Sequence, residues 1–202
     1  MARLRSIAAQ LRAAASEFEA DRWSGADCAA IAEELALAEK ACAAARVRAA
    51  ARALECNAGD VEWVARTSGS TAAEARAMLS TVTTAAGCPA TNDALASGVV
   101  SLAQAREIVR AESAAPGSET ALLEVAATSG FAGLRAATRR VVLGAIDRDE
   151  LHAEQRRVRS VQHWVDELGM IAGRFRLPPE VGVSFVNRLD AATDRGRRCV
   201  RV

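Results

Sequence analysis

Apolar residues recur every three or four positions along most of this chain, and glycine, proline and short hydroxyl-bearing turns cut the recurrences into segments. In residues 2–20, Leu4, Ile7, Ala8, Leu11, Ala15 and Phe18 fall at helical spacing. A sharper start follows: Ser24 can cap a helix, Asp27 stands three residues on, and Trp23 and Cys28 hold the positions of a hydrophobic staple. From Ala26 no glycine or proline intervenes before Gly59, which predicts a helix from Ala26 to about Glu55, roughly 45 Å long. Along it Cys28, Ile31, Leu35, Ala38, Cys42, Ala45, Ala49 and Cys56 trace a heptad-like seam, interrupted where Arg52 takes an apolar slot. So small a seam lets a second helix approach closely, and its cysteines are expected to be small buried hydrophobes.

Shorter helices follow. Asp60–Arg66 carries Trp63, and Thr71 to about Ala85 opens with Thr71 and Glu74 at capping-box spacing. Pro89–Ser97 is brief, and Ser101–Glu112 opens with Ser101 and Gln104 in the same arrangement. Gly69, Gly87 and Gly98 separate these pieces, and Ser118–Ser129 supplies another helix before Gly130. Phe131 to about Arg159 reads as a second long helix, with Leu134, Val141, Val142 and Ile146 inward and Arg135, Arg139 and Arg140 outward. The period then changes: Val161–Val165 and Met170–Leu177 flank a polar turn and predict a hairpin. Pro178 and Pro179 end it, a last helix runs from Glu180 to about Ala192, and the tail TDRGRRCVRV reads as unstructured.

The pattern therefore predicts a mainly α fold in one domain spanning 1–202. It has two long helices, a helix-turn-helix-like module over about 60–112, and a small hairpin plus helix over about 160–192. Composition strengthens the helical reading, since roughly a quarter of the residues are alanine and only 3% are aromatic.

Of the 26 basic residues only Lys40 is lysine; arginine suits phosphate recognition, and a GC-rich genome yields the same bias. Net charge is +1, unevenly spread: residues 1–130 hold 12 basic and 16 acidic side chains, and 131–202 hold 14 and 9, giving −4 against +5. The basic C-terminal third fits an anionic partner or a solvated helix surface. Five cysteines with no CxxC pair argue against a complete disulfide set, so a cytoplasmic, reducing setting is expected. The opening residues lack the apolar run of a signal peptide, and no uncharged stretch is long enough to span a bilayer.

Little in the chain speaks of catalysis. His152 lies among the charges of a solvated helix face, and His163 beside Trp164 reads as a packed imidazole. No phosphate-cradling glycine loop and no GxSxG elbow occur, and Ser70 and Ser101 are better explained as caps. The expectation is no catalytic residue, no metal and no cofactor.

Three blocks, ALASGVVSLAQAREIVRAESAAP, ALLEVAATSGFAGLRAATRRV and MIAGRFRLPPEVGVSFVNRLDAATDR, resemble in order the bacterial domain of unknown function 222, the 13E12 repeat family. The likeness covers about Trp23 to Arg195. It implies association with HNH nucleases of mobile-element type, whose zinc-supported unit often follows the segment matching LDAATDR. Here the chain stops at Val202 without the histidine and asparagine cluster or CxxC pairs of such a unit, so the nuclease domain is expected to be absent.

A second, partial likeness concerns Val64–Arg110, which resembles the central helix-turn-helix of ParB-type partition proteins. It implies that the helix starting near Thr71 enters a major groove, with Thr71, Glu74 and Ala75 near base edges and Ser70 on a phosphate. Arg66 and Arg76 lend this module its charge, and Arg135, Arg139, Arg140, Arg156, Arg157 and Arg159 would supply the rest. The leading expectation is a DNA-positioning domain without chemistry of its own. The alternatives are a self-association module, with a homodimer through the Ala26–Cys56 helix, and a truncated remnant without activity.

Overall fold

The computed structural model describes residues 2–199, with side chains described as far as Asp194. They fold into two compact units, one up to Arg139 and one from Arg140 onward. The protein is mainly α-helical with one small antiparallel hairpin, as the periodicity predicts. The first unit holds α1 (Ala2–Ser16), a 3-10 turn (Ala20–Arg22), α2 (Gly25–Glu55), α3 (Val61–Ser68), α4 (Ala72–Ala85), α5 (Pro89–Ala96), α6 (Leu102–Ala114) and α7 (Glu119–Thr128). Helix α8 (Phe131–Gly144) crosses into the second unit, which continues with α9 (Arg148–Arg157), β1 (Ser160–Val165), β2 (Ile171–Arg176) and α10 (Pro179–Cys199).

Local hydrogen bonds set the helix starts. Ser24 Oγ accepts from the Asp27 amide at 3.2 Å and Asp60 Oδ1 from the Trp63 amide at 2.7 Å. Thr71 with Glu74, and Ser101 with Gln104, each close a full capping box. Trp23, in the expected staple position, stacks on Phe18 with ring centroids 6.5 Å apart.

Helix α4 is the hub of the first unit and packs against α2, α3, α5 and α6. Ala44, Ala75, Ala85, Ala105 and Ala111 are fully buried, so helices meet nearly backbone to backbone. Leu95, Ile108 and Leu134 are the largest side chains sealed inside. Two polar ties lock α2 to the α5 region: Arg48 donates to the Asn92 carbonyl and Oδ1 at 3.1 and 2.8 Å, and Lys40 Nζ donates to the Val99 carbonyl at 3.3 Å.

The α6–α7 turn is held by one carboxylate. Glu112 accepts from the Gly117 and Glu119 amides at 2.7 and 2.8 Å and from Ser118 Oγ at 3.2 Å. These bonds, the Gly117 amide foremost, hold its carboxyl below the ordinary glutamate range. A depressed folded-state pKa stabilises the fold above the ordinary glutamate range, and that contribution is lost as pH falls through the folded value. We expect Glu112→Gln to lower the thermal midpoint at neutral pH and to narrow the gap to wild type in acid. Parallel pH profiles for the two proteins would contradict this.

Several expectations are corrected. The single helix over 131–159 is two helices, because Gly144 weakens the first and Asp147 Oδ1 caps the second by accepting the Asp149 and Glu150 amides. Ile146, in the break, is 39% exposed rather than inward. The seam of α2 is not the face that packs: Ala44, Val47 and Ala50 are buried, whereas Cys42, Ala45, Ala49 and Cys56 are exposed and Cys28 is half-buried. The last helix continues through Cys199 instead of stopping near Ala192, carrying Thr193–Cys199 of the expected tail; Val200–Val202 lie outside the described residues. His163 is exposed, not packed.

In the second unit the hairpin pairs Ser160 with Arg176 through Val165 with Ile171. Asp166 Oδ1 accepts the Leu168 and Met170 amides at 2.9 Å each, while Gly169 takes a left-handed φ of 76°. Phe175 meets Phe185 of α10 edge to face at 4.8 Å. No described helix is long and apolar enough to cross a membrane.

Candidate nucleic-acid interface

The expected helix-turn-helix elements are present as α3, a three-residue turn (Gly69, Ser70 and Thr71) and α4. Gly69 follows α3 in a left-handed conformation (φ 63°), and Thr71 caps α4 two residues later. The polar residues at this turn are largely engaged with one another. Ser70 Oγ lies 2.7 Å from Ser68 Oγ, and Glu74 Oε2 accepts the Thr71 amide and hydroxyl at 2.8 and 2.9 Å. The same two bonds hold the Glu74 carboxyl below its ordinary range, the backbone amide contributing most. Thr71 and Glu74 therefore build the helix start. Ala75, expected near base edges, is fully buried against the core.

What α4 leaves to solvent is a stripe with Ala73, Arg76, Ser80 and Thr84. Arg76 stands one turn before Ser80, and Arg66 is exposed in the last turn of α3. Beside this stripe runs a shallow groove between α4 and α6, formed by two hollows of about 410 and 420 Å³ that share Ala77, Thr81 and Arg106 as lining. Ser70 and Glu74 close one end; Ser80 and Thr84 of α4 face Arg110 and Ser113 of α6 at the other.

Arg106 and Arg110 are the residues that reading the sequence missed. They lie one helical turn apart on α6, outward of the buried Ala105, Ile108 and Val109. Their spacing was visible in LAQAREIVR, but their position across from Ser80 and Thr84 depends on how α6 packs on α4.

A buried carboxylate ties this wall to α8. Glu107 is 7% exposed; its Oε2 accepts from Thr138 Oγ1 at 3.3 Å and lies 3.8 Å from an Arg110 guanidinium nitrogen, while its Oε1 lies 3.7 Å from Arg135 Nε. Arg135 also sits over the Phe131 ring, 6.0 Å from its centroid. The tertiary structure thus sets Arg106 and Arg110 on one wall of the groove, and Glu107 links Arg110 to Arg135 of α8. Arg106 and Arg110 are the cations that line the groove, and Glu74 is the carboxylate at its end.

The remaining predicted residues are exposed and distributed by element. Arg139 and Arg140 are neighbours on α8 at the division between the two units, with no ion pair among the described residues. Arg156 and Arg157 occupy the last turn of α9, and Arg159 precedes β1. Arg157 is committed to Glu154, donating from Nε and a terminal nitrogen at 2.7 Å each. That fork pairing holds the Glu154 carboxyl below its usual range, the hydrogen bonds from Arg157 contributing most, and offsets the Arg157 charge locally.

Among the described residues no cluster of histidine, cysteine, aspartate or glutamate is grouped to hold a metal ion. No protein-family model matches the chain, and neither a curated protein nor a solved structure matches it.

Proposed function

We propose that this chain is a non-catalytic helical scaffold that holds DNA, acting in the HNH-nuclease, mobile-element setting that the resemblance to the 13E12 repeat family implies. The observation that carries it is the groove between α4 and α6, with Arg106 and Arg110 on one wall, hydroxyls on the other and the α3–α4 turn at one end. Guanidinium groups set along a groove suit phosphate oxygens, and hydroxyls at its opposite wall can complete the contacts. Arg66 of α3, Arg76 of α4 and Arg135 of α8 are further cations of the same unit, and Arg139 and Arg140 are proposed as phosphate contacts in their own right. A reducing, cytoplasmic setting accords with the free thiols of Cys28, Cys42, Cys56 and Cys88.

Mobility shift across a salt series tests this. Binding is expected at low salt and should decline linearly in log–log form as salt rises, with the Arg139→Ala/Arg140→Ala variant weaker on all sequences and shallower in slope. No shift at low salt with either double- or single-stranded DNA would remove the proposal.

A second reading is self-association through the Ala26–Cys56 helix, favoured by one observation: α2 is apolar on two faces and only one is packed. Ile31 is half-buried, Leu35 is 43% exposed, and Cys42, Ala45 and Ala49 are open to solvent. An apolar helix face in water is unfavourable in proportion to its area, and a second helix would cover it.

A further inference from the structure

We infer that the occupant of the exposed α2 seam is helix α1 of a second copy of this chain, exchanged reciprocally between two protomers; this rests on the self-association reading just given. Helix α1 has an apolar stripe and nothing covering it: Leu4, Ile7 and Leu11 are 70, 50 and 40% exposed, and α1 buries no residue at all. Two uncovered apolar helix faces in one molecule, one on α1 and one on α2, are complementary in kind.

Charge makes them complementary in sign. Helix α1 carries Arg3, Arg5 and Arg12 and no acidic residue, a net +3. Residues 25–45 of α2 carry Asp27, Glu33, Glu34 and Glu39 against Lys40, a net −3. Placed on a helical wheel, Arg3 borders one edge of the α1 stripe and Arg5 and Arg12 the other. Asp27 and Glu34 border one edge of the α2 seam and Glu39 the other. These are the flanking positions that set partner choice between packed helices, and like pairs would repel: α1 against α1 sets arginine on arginine, and seam against seam sets carboxylate on carboxylate.

The lengths also agree. Fifteen residues make α1 about 22 Å long, and the acidic part of the seam, from Cys28 to Ala45, runs about 26 Å before Arg46 and Arg48. One α1 therefore covers most of one seam. Because each protomer offers one basic stripe and one acidic seam, two copies satisfy both at once in a closed twofold arrangement.

Charge exchange tests the pairing. Wild-type protein at micromolar concentration is expected to sediment as a dimer. Variant A (Arg3→Glu, Arg5→Glu, Arg12→Glu) and variant B (Asp27→Lys, Glu34→Lys, Glu39→Lys) should each dissociate roughly 10- to 100-fold more readily. Mixed one to one, A and B should recover a heterodimer, because both crossed pairings become attractive. Helical circular dichroism keeps the test sound, since none of the six residues lies in the core.

The outcomes separate cleanly. A wild-type monomer at every concentration overturns the self-association reading and this inference together. A dimer that A and B leave intact but Leu35→Asp abolishes retains the seam and overturns α1 as its occupant. Loss of the dimer in A and B without recovery on mixing also overturns the exchange.

Discussion

Gly98→Ala is expected to destabilise the first unit by about 3–5 kcal/mol, combining a left-handed backbone penalty with overpacking against a helix backbone. Gly98 is buried in the α5–α6 turn at φ 81°. A Cβ built there would stand 2.2 Å from the Leu37 carbonyl oxygen and 3.1 Å from the Ala41 amide nitrogen, both in α2. No rotamer change can relieve a collision with backbone, so the turn would have to part from α2, taking the Lys40 to Val99 bond with it. Chemical denaturation reads the cost, and Gly69→Ala supplies the control. Gly69 has a similar φ of 63° but open space around it, so its substitution should cost only about 1 kcal/mol. Equal losses at the two sites would show that the α2 contact is not tight.

The double substitution Arg106→Ala/Arg110→Ala is expected to weaken DNA binding about 10- to 100-fold at low salt and to reduce the salt slope by about 2. Both guanidinium groups are largely exposed, and the Arg110 contact to Glu107 is long at 3.8 Å, so the thermal midpoint should hardly move. Arg157→Ala is the informative comparison. Its guanidinium is already forked onto Glu154, so removing it should change affinity much less than removing the groove pair. If the two variants lose affinity equally, DNA does not lie in the α4–α6 groove. If the groove variant binds as wild type, the proposed interface is elsewhere or absent.

How far the sequence could be read depended on the range of the interaction. Thr71 with Glu74 and Ser101 with Gln104 were legible because a capping box is closed by residues three apart, whatever lies around it. The hairpin was legible for the same reason, its turn being held by Asp166 and Gly169. The end of α8 was signalled too, since Gly144 followed by Asp147 is a stop and a cap, but the surrounding charges read equally well as one solvated helix. Arg106 and Arg110 had a visible spacing and no visible address: their neighbours in the groove are Ser80 and Thr84, more than twenty residues away.

Helix α2 marks the limit most clearly. With alanine at so many positions, its wheel shows no contrast between a face headed by Leu35 and one headed by Val47, and the heptad-like seam was the more regular of the two. Packing against α4 and α5 selected Ala44, Val47 and Ala50, and left the seam outside. The sequence by itself determined where most helices start, where the hairpin turns and that the fold is mainly α, because hydrogen bonds among residues within a few positions decide those features. Only the tertiary structure decided which face of α2 is core, where Glu107 is buried and which arginines share a groove, because those follow from the docking of helices remote in the chain.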